Sequence, residues 1–276
     1  DSRGDKEEQF NSALRPQQLT ECIGQQNVKD KLSIAIQAAR QRGEPLEHIL
    51  FYGPPGLGKT TLAHVIANEM GANIRVTSGP AITKQGDLMG MLSNISTGDV
   101  LFIDEIHRLN AAVEEFIYPA MEDFKVDFTV DSGMHAKTIN FPLKRFTLIG
   151  ATTRAGLLSA PLRGRFGMLH HLEFYNIDEL TDILKRSANL LEIRAADGTL
   201  EMVAARSRGT PRIANRLLKR VRDYAQVKGS GKLTTEIVEN ALTMERIDQL
   251  GLDELDRSLL RALIQVSDAG PAAIEA

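Results

Sequence analysis

The chain has one cysteine, Cys22, so no internal disulfide can form and no cysteine pair is present to begin a zinc site. A small half-buried side chain is the ordinary reading of it. Long hydrophobic runs are missing as well: Ile49 to Tyr52 and Val100 to Ile103 are among the longest, far short of the roughly 20 apolar residues that span a bilayer. No signal peptide opens the chain, and a cytoplasmic protein with no membrane contact is expected. Neither sign of charge dominates, with 33 Lys+Arg against 36 Asp+Glu and a formal net charge of -3. There is therefore no overall basic field, and binding to nucleic acid must be local or lie in a missing part. Repeats and low-complexity tracts are absent, which favours a compact enzyme. His170-His171 has no carboxylate or cysteine at ligand spacing, which argues against a metal centre there. What remains is 276 residues, 42% hydrophobic and 25% charged, a globular composition with room for two domains and part of a third.

The first thirteen residues, Asp1 to Ala13, are polar and charged around a single Phe10 and read as a mobile arm. Val28, Leu32, Ile36 and Ala39 then recur at helical spacing up to Gly43-Glu44-Pro45. From there short apolar runs alternate with helices. The expected strands are Ile49 to Tyr52, Ile74 to Thr77, Val100 to Asp104 and Phe146 to Ala151. The expected helices are Thr60 to Met70, Leu88 to Leu92 and Ala111 to Met121. Such alternation implies an α/β fold with a parallel sheet. Val126, Phe128 and Val130, then Ile139 and Phe141, instead follow a period of two on either side of Ser132-Gly133, a β-hairpin over 126–141. After Tyr175 the strands are expected to stop. Helices at about 177–191, 200–208, 213–227 and 235–246 make a small separate helical domain, and a last helix runs from Leu255 to Val266.

Gly53-Pro54-Pro55-Gly56-Leu57-Gly58-Lys59-Thr60-Thr61 fits G-x-x-x-x-G-K-[ST] and lies between an apolar run and a helix. In that context backbone N–H groups can ring phosphates. Gly56 and Gly58 let the backbone approach the anion, Lys59 neutralises the β- and γ-phosphates of ATP, and the Thr60 hydroxyl can hold Mg²⁺. Thr61 would touch the α-phosphate. Val100 to Ile103 delivers Asp104 and Glu105 at the carboxyl end of a buried strand, where α/β sheets place their ligands. Asp104 suits the metal's waters, and Glu105 suits orienting and deprotonating the attacking water. For His107, a structural role is the commoner one for a loop histidine.

Several further segments go beyond any general ATPase pattern. They are Leu14-Arg15-Pro16, Leu109 with Val113-Glu114-Glu115, Tyr118-Pro119-Ala120-Met121-Glu122-Asp123-Phe124, Gly150 to Gly156, and Gly209-Thr210-Pro211-Arg212-Ile213-Ala214-Asn215-Arg216. Together, from Leu14 to about Leu263, they resemble the bacterial RuvB family, the AAA+ motors that drive branch migration of Holliday junctions with RuvA. The resemblance implies a large P-loop ATPase domain over 14–176, a small helical lid over 177–248, and from 249 to 276 the start of a truncated winged-helix domain that contacts DNA. It implies that Leu14 and Arg15 pack on the adenine, and that Thr152 is the sensor of the γ-phosphate or of water. Arg165 would be the arginine finger that reaches a neighbour's ATP, with Arg163 as the alternative. Tyr175 would lie at the hinge against the nucleotide, and Arg212 would be the second sensor. Glu122, Asp123 and Phe124 would line the subunit contact near the nucleotide, although a polar helix terminus explains them nearly as well. Partners implied are a homo-hexamer on Holliday junction duplex DNA, RuvA gripped by the hairpin with its tip at Met134, and RuvC indirectly. A plain sheet extension is the other reading of that hairpin.

Two other classes compete. A nucleotide-dependent switch would not need both Glu105 and Arg165. A protein unfoldase usually carries an aromatic pore loop, and Gly79 to Gly98 holds no aromatic residue. Arg212, Arg216 and Arg220 form a basic stripe on one helix, best explained as a solvated or subunit-pairing face.

Overall fold

Helix α1 (Gln26–Arg42) buries Val28, Leu32, Ile36 and Ala39 along one stripe. Gly43 ends it in the left-handed region at φ 65°, so that its N–H reaches the Arg40 carbonyl and the Glu44 N–H reaches that of Ala39. The chain is described here as a computed structural model over residues 14–130 and 137–267. The expected arm and the hairpin tip around Met134 lie outside the described residues.

After α1 come β1 (Ile49–Tyr52), α2 (Lys59–Met70), β2 (Ile74–Ser78), α3 (Gln85–Leu92), β3 (Val100–Asp104) and α4 (Ala111–Glu122). The hairpin strands β4 (Lys125–Val130) and β5 (Lys137–Pro142) follow, then β6 (Thr147–Thr152), α5 (Ala160–Arg163) and β7 (Met168–His171). Strands β2-β3-β6-β1-β7 form one sheet in that order, each pairing parallel. Strand β6 therefore lies between β1 and β3. The chain leaves β1 for the β2 edge and works back inward, and the crevice at the carboxyl ends beside β1 is where such sheets bind ligands. Strand β7 was not expected, because Met168-Leu169-His170-His171 lacks an apolar run.

Both faces of the sheet are covered, which is why its strands are continuously apolar. Leu50, Leu101, Ile103 and Leu148 pack with Leu88, Val113, Phe116 and Ile117. The alternating Ile49, Phe51, Phe102 and Ile149 are equally buried on the other face, where α2 packs on β3 and β6. His48 pins the start of β1 to its neighbours. Its Nδ1 accepts from the Leu148 N–H at 2.9 Å and its Nε2 donates to the Met121 carbonyl at 3.0 Å. Burial holds its pKa below the ordinary histidine value, against the opposing pull of that carbonyl.

The chain divides into two compact units after Glu173, earlier than the expected boundary at 176. The physical reason is local: the Tyr175 N–H donates to the Gly209 carbonyl at 2.9 Å, and the Tyr175 ring packs on the second unit's core. That unit runs α6 (Ile177–Leu190), β8 (Arg194–Ala195), α7 (Thr199–Ala205), α8 (Pro211–Lys228), β9 (Lys232–Leu233), α9 (Thr235–Met244) and α10 (Glu254–Ser267). Strands do not stop after Tyr175, since β8 and β9 pair in parallel through Arg194↔Lys232 and Ala195↔Leu233. Two-residue strands leave too little pattern to read. Leu180, Leu184, Leu217, Leu218, Val221 and Val238 fill the core. Helix α10 is tied to this unit by the Arg208–Asp256 ion pair, and the segment before it packs closely at Gly251, where a Cβ would stand 2.5 Å from the Arg206 carbonyl oxygen.

Candidate functional site

Gly53 leaves β1 at φ 135°, and a Cβ there would meet the Leu172 carbonyl oxygen at 2.4 Å. The glycine lets its N–H reach the Thr152 carbonyl at 3.3 Å, joining the loop to the end of β6. Gly56 and Gly58 also have positive φ, 83° and 95°. Gly58 caps α2 without a side-chain hydrogen bond, so the positive end of the helix dipole faces the loop. Lys59 is buried, and its Nζ donates to the Gly53 and Pro54 carbonyls at 2.8 Å each. Thr60 and Thr61 follow on the first turn, half-buried. Leu14 is buried at the head of a segment that runs along α2, where Asn68 Nδ2 donates to Gln17 Oε1 at 2.8 Å and the Leu19 N–H to Glu69 at 3.1 Å. Burial first, and the charge of Arg15 second, hold the His64 pKa below its usual value. Arg15 is thus electrostatically near α2.

Across β6, β3 ends at Asp104, whose Oδ1 accepts from the Glu105 N–H at 2.9 Å. Glu105 adopts a left-handed φ of 47°, a local strain that non-glycine residues adopt when surroundings hold them. Two groups hold its carboxylate. Thr153 Oγ1 donates at 3.1 Å and 3.4 Å to the two oxygens, and His107 Nδ1 stands 3.3 Å from Oε2. The same Nδ1 is 2.8 Å from Thr152 Oγ1, which accepts from the Arg154 N–H at 3.0 Å. Thr152 is 0% exposed, committed to His107 and its own backbone. Thr153, not Thr152, is the hydroxyl on Glu105. No motif marks Thr153, and its only signal in the sequence is the Thr-Thr pair at a strand end, where one residue decides the direction; the contacts of His107 are compatible with the structural role expected of it.

Arg165 lies just beyond α5. One guanidinium nitrogen donates to the Pro161 carbonyl at 2.7 Å and the other pairs with Glu122 at 3.1 Å. Arg163 is exposed. The three residues at the end of α4 diverge: Glu122 meets Arg165, Asp123 pairs with Lys125 at 3.1 Å, and the Phe124 ring packs edge-on to Phe146 at 5.9 Å. Arg145 lies over the Phe124 ring at 5.4 Å. Their contacts are thus with the turn after α5, the hairpin and the core.

A glycine-rich loop at a helix N-terminus, with a strand-end Asp-Glu pair on the far side of one intervening strand, is the arrangement of a P-loop ATPase. Residues 14–172 match the family model described as the Holliday junction DNA helicase RuvB P-loop domain, and residues 175–248 match the RuvB AAA lid domain. The chain belongs to the RuvB family. A Kosmotoga olearia protein named Holliday junction branch migration complex subunit RuvB is 59% identical over 270 residues, 98% of this chain and 79% of that protein. A Dehalococcoides mccartyi protein of the same name is 55% identical over 266 residues, 96% of this chain and 76% of that one. The solved Thermotoga maritima RuvB Holliday junction branch migration motor superposes with a TM-score of 0.86 at 52% identity, covering 95% of this chain and 83% of its own.

Within this RuvB-family chain, Tyr175 and Arg212 belong to the second unit, Arg212 exposed in the first turn of α8. No group of three or more His, Cys, Asp or Glu side chains that could cage a metal exists among the described residues. Thr60 stands on the first turn of α2 and Asp104 at the carboxyl end of β3, and both carry the oxygen ligands that Mg²⁺ takes. Among the described residues no helix is long and apolar enough to cross a membrane.

Proposed function

We propose that this chain is the ATP-hydrolysing motor of Holliday junction branch migration in homologous recombination and DNA repair. It acts in the cytoplasm as a hexameric ring on duplex DNA, with RuvA, and with RuvC indirectly. The observation that carries the hydrolytic reading is Glu105, strained at the end of β3 and held from two sides by Thr153 and His107. In a pure switch that carboxylate would have no water to activate.

Each residue has a physical task. The N-terminus of α2 and Lys59 take the phosphates, and Leu14 and Arg15 take the base. Thr60 and Asp104 hold Mg²⁺, which when bound neutralises charge developing on the phosphate oxygens. Glu105 accepts the proton of the attacking water, with Thr153 donating to its carboxylate. Arg165 acts on the neighbour's nucleotide, a contribution of roughly 10³ to 10⁵ in rate for such fingers. Arg212 and Tyr175 carry the nucleotide state to the lid, whose motion moves DNA. The hairpin β4–β5 grips RuvA. Its paired strands keep Val126 buried while Phe141 stays at the surface, a strand ladder suited to docking another chain.

The test is ATPase activity with and without RuvA and a four-way junction. Junction and RuvA together should raise turnover severalfold, and Glu105→Gln should retain ATP yet abolish turnover. A rate indifferent to both partners would favour a generic switch. Deleting residues 131–136 should weaken RuvA binding and spare basal hydrolysis; unchanged affinity would remove the hairpin's role.

A further inference from the structure

The finger residue is seated on a surface built by its own chain. The Arg165 guanidinium carbon lies 4.0 Å from the centroid of the Tyr118 ring, close enough for a direct cation–π stack. Glu122, one helical turn beyond Tyr118 on α4, takes one guanidinium nitrogen, and the Pro161 carbonyl in α5 takes the other. Ring and turn are themselves fixed. The Tyr118 hydroxyl donates to Glu114 Oε1 at 2.5 Å, and the Ser159 hydroxyl donates to the same oxygen. Ser159 also caps α5, its Oγ accepting from the Leu162 N–H at 3.1 Å. One carboxylate therefore ties the ring under Arg165 to the start of the turn that carries Arg165.

We propose that Tyr118, locked by Glu114 and Ser159, is a positioning platform that presents Arg165 to the nucleotide of the adjoining subunit. The inference rests on the trans-finger reading above. An arginine has four rotatable side-chain bonds, and a finger that must meet a phosphate in register gains most from a partner that constrains the plane of its guanidinium. The ring does this without consuming a donor, because it takes the face of the group and leaves the edges for oxygen acceptors. The Glu122 side chain is 55% exposed, so its ion pair is the weak, water-screened contact. That edge of the guanidinium is the one a phosphate can take over. Tyr118 touches neither the loop of its own site nor the water-activating carboxylate in any contact described above. Its effect must then appear in the neighbour's turnover and not in its own affinity for ATP.

The experiment uses the full chain in rings with RuvA and junction DNA. Tyr118→Leu should lower kcat at least tenfold with KM for ATP within twofold of the parent. Tyr118→Phe keeps the ring but loses the hydroxyl's tie to Glu114, so its rate should lie between those of the parent and Tyr118→Leu, which also guards against a variant that merely folds poorly. Tyr118→Leu mixed with Lys59→Ala subunits, whose fingers are intact, should regain turnover to the fraction that Arg165→Ala regains in the same mixture. An unchanged kcat in Tyr118→Leu, a Tyr118→Phe as slow as Tyr118→Leu, or rescue of Arg165→Ala without rescue of Tyr118→Leu would each overturn the platform. Failure of Arg165→Ala to be rescued at any ratio would instead remove the trans finger, and the platform with it.

Discussion

Replacing His107 with alanine removes the group that joins Glu105 to the floor of the site. The imidazole is 7% exposed and its Nδ1 serves both Glu105 Oε2 at 3.3 Å and Thr152 Oγ1 at 2.8 Å. The imidazole packs against a carboxylate that is 32% exposed, and misplacing a catalytic group by about 1 Å can cost up to about 10²-fold; losing one of its two supports should cost about half of that in free energy, about 1.4 kcal/mol, or roughly tenfold in rate. His107→Ala should therefore hydrolyse ATP about tenfold more slowly. ATP affinity should stay within about twofold, because Lys59 and the α2 N-terminus do not depend on the histidine. Stability should also fall, since the fully buried Thr152 hydroxyl loses a partner at a cost of about 1–3 kcal/mol. His107→Asn places an amide near the Nδ1 position and should recover most of both losses. Steady-state ATPase rates, equilibrium titration with a fluorescent ATP analogue and thermal melts read the three quantities. Parent-like turnover in His107→Ala, or an asparagine variant no better than alanine, would refute the reasoning.

Gly53→Ala would set a Cβ 2.4 Å from a backbone carbonyl oxygen at φ 135°; nucleotide affinity measured by titration should drop more than about tenfold, given strain of about 1–3 kcal/mol at such positions. His48→Leu would strip partners from the buried Leu148 N–H and Met121 carbonyl, so urea unfolding should show a loss of about 2–6 kcal/mol, at about 1–3 kcal/mol for each orphaned group. Burial lowers the pKa of His48, His64 and His170 in the folded chain, helped at His64 by Arg15 and at His170 by Lys31. Below the ordinary histidine value of 6.5 the unfolded chain binds protons that the folded one does not, so stability is full above that pH and falls as pH drops from 7 toward the depressed folded values. Melts at pH 8, 6.5 and 5.5 should show a steady decline, and His48→Leu should flatten part of it; equal midpoints at all three would contradict the assignment.

The parallel sheet and the phosphate loop were legible because their signals are local: an apolar run, glycines at fixed offsets, and a helix with its own stripe. Asp104 and Glu105 were legible for the same reason, as the charged end of an otherwise apolar strand. What escaped is tertiary. The Thr152–His107 contact spans 45 positions and Thr153–Glu105 spans 48, and no periodicity announces which of two adjacent threonines turns toward a carboxylate. Glu122 could not be tied to Arg165 from sequence either, because the end of α4 and the turn after α5 meet only once β4, β5 and β6 have folded between them. Strands β7, β8 and β9 were missed because short strands are held by neighbours' hydrogen bonds more than by their own side chains.

Strand β6 is flanked by β1 and β3, and its exit at Thr153 touches the Glu105 carboxylate. The same stretch of backbone continues through Ser159 to Arg165. Under the proposed function, the residue that steadies Glu105 and the residue offered to the neighbour then sit on one uninterrupted stretch of backbone, held at one end by Thr153 on Glu105 and at the other by Arg165 on Glu122. Coupling between the two sites would in that case depend on the length and stiffness of this stretch, and inserting a single glycine after Gly156 should weaken it while leaving nucleotide affinity unchanged.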